Sequence, residues 1–176
     1  MNRIIELDAK LTPLFAELEN ISNSLIMLPI CNLSDEKTIS EQVYPGIYRI
    51  DVSTAGASVT VEEWIRTLRA EWEHNDFKEK FTPNFKEKRI VQHKTLPEWM
   101  PLYLGKSKRV GARVLEHINL PLNKTTFALK LKARPSMSTR SFQLHALRLS
   151  VSNYNLIVPA LEAALRNRFH PLIGKQ

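Results

Sequence analysis

The chain has 176 residues, 43% of them hydrophobic and 24% charged, with a mean hydropathy of -0.25, a composition that suits neither a disordered tail nor a membrane protein. One cysteine, Cys31, allows no internal disulfide and no thiolate zinc centre. The formal charge of +7 is regional: from Pro101 onward 13 lysines and arginines face two acids, Glu116 and Glu162, while the first hundred residues hold 12 basic and 16 acidic ones.

In chain order, Ile4, Leu7, Leu11, Leu14, Leu18, Ile21 and Leu25 recur at spacings of three or four, which predicts helix, broken into two at Thr12-Pro13. The opening MNRIIELDAK carries charges where a signal peptide would be apolar, so a cytoplasmic protein is expected. A polar loop follows from Asn32 to Gln42. In Gly46-Ile47-Tyr48-Arg49-Ile50-Asp51-Val52, polar and apolar residues alternate as in a strand with one apolar face. Thr60 and Glu63 have the spacing of a capping box ahead of an amphipathic helix carrying Trp64, Ile65, Leu68 and Trp72.

From His74 to Trp99 the chain is polar and punctuated by Pro83 and Pro97, which reads as an excursion from the core. Leu102-Tyr103-Leu104 predicts a short strand closed by Gly105, and Ser107 a cap for a helix with the stripe Val110, Val114 and Ile118. Thr125 to Lys132 fits strand or helix, Ser141 to Val151 a strand, and a last helix is expected from Pro159 to Phe169. The order indicates an α+β fold with a small, mainly antiparallel three-stranded sheet flanked by helices. A single domain is expected, with an N-terminal helical extension at 1–44, a core of 45–52 plus 101–176, and a helical insertion at 53–100.

Several chemistries are excluded. Gly105-Lys106-Ser107 resembles the end of a phosphate-binding P-loop, but Met100 stands where the loop needs glycine, so no nucleotide cofactor is expected. The five histidines never fall at paired metal-ligand spacings, and there is no Gly-x-Ser-x-Gly elbow. What remains is Glu162, the sole carboxylate side chain of the last sixty residues, either paired on the helix surface with Arg166 or functional. Arg113 and His117, four apart, share a helix face and suit a phosphate clamp or a solvated surface equally.

Taken together, Gly46-Ile47-Tyr48, Tyr103-Leu104-Gly105-Lys106-Ser107, Arg113 with His117, and Glu162 on a late helix resemble the GIY-YIG endonuclease family, in its compact restriction-enzyme branch. Leu104 replaces the usual isoleucine, some fifty residues separate two motifs that normally lie close together, and Gly174 stands where the family often has asparagine. The resemblance implies hydrolysis of duplex DNA assisted by one Mg2+, with Mn2+ able to substitute, held by Glu162. It implies that Arg113 binds the scissile phosphate and that Tyr48 is the general base. Lys106 would lower the Tyr48 pKa, and Tyr103 and His117 would orient water or phosphate.

Lys108, Arg109, Lys124, Lys130, Lys132, Arg134, Arg140 and Arg168 are the expected DNA-binding residues. A homodimer is expected, because cutting two strands with one centre per chain takes two chains or two visits. The alternative is a scaffold that binds DNA or RNA without turnover.

Overall fold

The computed structural model describes residues 2–77 and 81–175. It is an α+β fold built on an antiparallel sheet of four strands in the order β1-β5-β2-β4: β1 (Leu28–Asn32), β2 (Gly46–Ser53), β4 (Trp99–Ser107) and β5 (Phe142–Arg148). The three-stranded expectation is thus corrected by β1, a five-residue, mostly apolar strand interrupted by Pro29. Pro29 is compatible with pairing there because β1 is an edge strand and bulges between Pro29 and Cys31.

The helices are α1 (Asn2–Ser24), α2 (Glu36–Ser40), α3 (Val61–Trp72), α4 (Glu87–Ile90), α5 (Val110–Asn119), α6 (Pro135–Ser138) and α7 (Tyr154–Phe169). No helix among the described residues is long and apolar enough to cross a membrane.

β2 is an inner strand buried on both faces, not on one as its alternation suggested. Tyr48, Ile50 and Val52 join the main core with Val110 and Val114 of α5 and the tryptophans of α3. On the other face Ile47 and Leu104 pack with Val158, Leu161 and Leu165 of α7.

The insertion is less of an excursion than its polarity predicts. The capping box at Thr60 and Glu63 forms and directs Trp64, Ile65, Leu68 and Trp72 inward. Phe85 is buried in β3 (Asn84–Phe85), which pairs with β6 (Ile173–Gly174), a chain-end strand with no sequence signal. The Leu172 amide also bonds Pro101 O at 2.9 Å, laying the C-terminal segment beside β4.

Helix boundaries depart from expectation for identifiable reasons. α1 runs unbroken through Pro13, and the Thr12 hydroxyl bonds the Asp8 carbonyl of its own helix instead of capping a new one. β4 continues through Gly105 to Ser107. Ser107 does not cap α5, whose first amides are taken by backbone instead: Val110 N bonds Tyr44 O at 3.1 Å and Gly111 N bonds Gln42 O at 2.8 Å. Residues 125–130 are neither strand nor helix, with a 3-10 turn at Leu131–Ala133. α7 starts at Tyr154, five residues before Pro159, which it contains near its N-terminal end.

Candidate active site

Because β4 is an edge strand, side chains from both faces of the sheet can meet around its open side. Register decides which do. Tyr48 pairs with Gly105 and Ile50 with Tyr103, so both phenols rise on the α5 face, while Ile47 pairs with Lys106, which emerges on the α7 face. Around this edge opens a cleft of about 510 Å³. Tyr48, Tyr103 and Arg113 line it from one side, Lys106, Glu162 and Arg166 from the other, and Lys175 reaches its rim from the segment after β6.

Glycine is required at both tyrosine motifs. A Cβ on Gly46 would stand 2.2 Å from the Leu147 carbonyl oxygen, so any side chain would part β2 from β5. A Cβ on Gly105 would stand 2.8 Å from the Tyr48 hydroxyl and 2.9 Å from Tyr103 Cε1, so Gly105 vacates the space in which the two phenols meet.

His117 is fully buried, with its ring centroid 4.8 Å from that of Tyr103. Its Nδ1 accepts the Leu129 backbone N–H at 2.9 Å, which places the hydrogen of the neutral ring on Nε2. Nε2–H therefore donates to the Tyr48 hydroxyl oxygen, 2.7 Å away. Burial, with the Arg113 charge adding to it, drives the His117 pKa well below its ordinary value, so the imidazole stays neutral. This geometry corrects the expectation that His117 contacts water or phosphate, since it reaches the cleft only through Tyr48.

Burial pushes the Tyr48 hydroxyl well above the usual phenol value, and Tyr103 adds to the rise. The Arg113 guanidinium is the cation that pulls it down. Lys106, expected in that role, is instead directed to the Glu162 carboxylate. Burial likewise raises Tyr103, with Arg113 opposing. Arg113 is held by the Glu116 carboxylate and the Phe127 carbonyl.

The segment after α5 thus supplies both the amide that orients His117 and the carbonyl that orients Arg113. Lys130 anchors it: its backbone is left-handed, with φ 57°, and its buried ammonium donates to Leu122 O at 2.7 Å and Lys124 O at 2.6 Å. Lys130 therefore belongs to the interior and not to a DNA-contacting surface. Arg134 is corrected in the same way, buried over the Trp72 ring and donating to the carbonyls of Leu129, Trp72 and Phe77.

Of the other expected DNA-binding residues, Lys132 pairs with Glu36, and Arg140 chelates Glu71 at 2.8 to 3.0 Å. Arg168 caps α1 through the carbonyls of Ser22 and Leu25. Lys108, Arg109 and Lys124 are exposed and make no ion pair among the described residues. Sequence reading missed Arg166 and Lys175 as cleft residues. Arg166 was visible as the residue four past Glu162, whereas Lys175 reaches the cleft through the unforeseen β3–β6 pairing.

Glu162 is mostly buried, with Arg166 at 4.0 Å and the Arg89 charge also near it. No cluster of three or more histidine, cysteine or acid side chains occurs among the described residues. A single carboxylate facing a wide polar cleft fits Mg2+, which keeps several waters and accepts phosphate oxygen, better than a cation that needs a protein cage. With Lys106, Arg113, Arg166 and Lys175 around that one carboxylate, the cleft has an excess of positive charge suited to a phosphodiester. No family model matches the chain, and neither a curated protein nor a solved structure matches it.

Proposed function

We propose that the chain is a metal-dependent endonuclease of the GIY-YIG type, hydrolysing phosphodiester bonds of duplex DNA as a restriction or defence enzyme in the cytoplasm. One observation carries the reading: Tyr48, Tyr103, Arg113 and Glu162, scattered over more than a hundred residues of sequence, line one open cleft.

In this reading Glu162 would hold Mg2+, or Mn2+ in its place, which when bound would supply charge stabilisation to the scissile phosphate. Arg113 binds another oxygen of that phosphate with its planar guanidinium. Tyr48 gives up its hydroxyl proton to cleft water and then accepts one from the attacking water as the new P–O bond forms and the bond to the departing sugar oxygen breaks, that oxygen taking a proton from solvent, with the His117 Nε2–H stabilising the phenolate. Because burial holds Tyr48 as a phenol, its deprotonation needs nearby positive charge, which Arg113 supplies. Tyr103 orients the water, and Lys106, released from Glu162, turns to the substrate backbone. Lys108, Arg109 and Lys124, with Arg166 and Lys175 of the cleft, extend the contact along the duplex.

Supercoiled plasmid offered with Mg2+, Mn2+ or EDTA tests the proposal. Nicked or linear product is expected with either metal and none with EDTA, while affinity falls steeply with salt. A second reading is favoured by the Lys106–Glu162 ion pair, since a carboxylate that keeps its ammonium partner would bind no metal. It predicts salt-dependent binding of DNA or RNA without cleavage in any metal. Offering both nucleic acids in the same assay assigns the substrate.

A further inference from the structure

α1 presents a second feature that the cleft does not use. Ile4, Leu7, Leu11, Leu14, Leu18, Ile21 and Leu25 alternate strictly by three and four, the 3.5-residue period of a coiled-coil seam. Within the chain only the C-terminal end of this seam is occupied: Leu18 and Leu25 are half-buried against the α7 cluster, so the seam already takes a helix as its partner. The rest is open, with Ile4 75%, Leu7 56%, Leu14 59% and Ile21 44% exposed. A helix in a protein draws most of its stability from packing its apolar face, and most of the α1 face is unpacked within the chain.

We infer that the open seam of α1 is a dimerisation surface whose occupant is α1 of a second copy, in parallel register. Charge selects this occupant. α1 carries Glu6, Asp8, Glu17 and Glu19 against Arg3 and Lys10, so its net negative charge disfavours anionic lipid and nucleic acid. With Ile4 and Leu11 at a positions and Leu7 and Leu14 at d, parallel pairing sets Arg3 of one copy against Asp8 of the other, twice by symmetry. Lys10 then faces Phe15, so no like charges oppose along the open part of the seam. Antiparallel pairing over Ile4 to Leu14 would instead put Lys10 against Lys10 and Asp8 against Asp8. Pro13 falls at a c position, outside the seam. The inference does not depend on the nuclease reading, because no cleft residue enters it.

Light-scattering mass measured at tens of micromolar protein tests it, together with oxidative cross-linking of Leu7→Cys in a Cys31→Ser background. The expected results are twice 20.3 kDa for the wild type, 20.3 kDa for Leu7→Lys/Leu14→Lys with a cooperative thermal transition retained, and a self-cross-link at Leu7→Cys. A monomeric wild type overturns the proposal, as does a dimer whose Leu7→Cys variant fails to cross-link while Leu7→Cys mixed with Leu11→Cys does. Capture of a monomeric wild type by anionic or zwitterionic vesicles assigns the face to lipid and also overturns it. If the lysine variant does not fold, the cross-link alone decides.

Discussion

β2 carries a buried polar cluster on each face, and the two are built to opposite ends. On the α7 face Asp51, 1% exposed, is chelated by Arg49 at 2.6 to 3.0 Å, and His145 reaches it through Nε2 at 3.2 Å and Gln143 at 3.0 Å. The Arg49 guanidinium lies 4.4 Å from the centroid of the Phe169 ring. Charge there is neutralised and hydrogen-bonding capacity spent within the cluster. On the α5 face Tyr48 has the His117 Nε2–H on its oxygen and hydrogen-bonds with Tyr103 and Arg113, and it borders a cleft with surplus cations. A buried cluster that satisfies itself and is closed off holds a fold together, whereas one that borders an open cleft with a net positive field can act on a ligand.

Breaking each cluster in turn should separate these roles. Glu162→Gln removes the carboxylate proposed to hold the metal while keeping its shape, and cleavage should fall about a thousandfold or more with salt-dependent DNA binding retained. A variant cutting at the wild-type rate would remove Glu162 from the chemistry. Asp51→Ala leaves the Arg49 charge buried without its counter-ion and should cost about 3–5 kcal/mol in denaturant titrations, with turnover per folded molecule unchanged. A Asp51→Ala loss of turnover without loss of stability would reverse the assignment of the two faces. Gly105→Ala should shift both phenols, costing about a hundredfold in cleavage and about 1–3 kcal/mol in stability.

How much of this was legible follows from what a local pattern can encode. Tyr48, Tyr103, Lys106, Arg113 and Glu162 were brought together only by the resemblance, and Arg166 and Lys175 were missed, whereas the helix of α3 could be read because capping and apolar spacing act within a few residues. β1 could not, because Leu28-Pro29-Ile30-Cys31-Asn32 becomes a strand only when β5 offers its edge. The same holds for β6, two residues long and paired with β3 ninety positions away in sequence. Lys130 and Arg134 read as surface because they are basic, yet buried carbonyls of irregular loops need donors, and long cationic side chains can reach them. The sign of the local field was readable in the sequence. Which cations it leaves for a ligand depends on where the backbone carbonyls and the few acids finish.

The smallest effect offers the most direct comparison of the two faces, because each contains one histidine whose pKa burial lowers, His117 well below the ordinary value and His145 less so. In the unfolded chain both take up a proton as pH falls through about 6.5, while in the folded protein neither does until lower pH. Unfolding therefore gains protons, and stability is fully present above that value and declines below it, by at most about 1.4 kcal/mol per pH unit for each histidine. His145 resumes titration first, because its folded pKa lies nearer the unfolded one, so its share of the decline is confined to the upper part of the window. His117 continues to the acid end. Urea titrations between pH 7 and 5 should show His145→Gln flattening the decline just below 6.5 and His117→Gln flattening it throughout. Equal flattening by the two variants would mean that the Tyr48 face is no drier than the Asp51 face, and would remove the reason for Tyr48 to need added positive charge before it can act as a base.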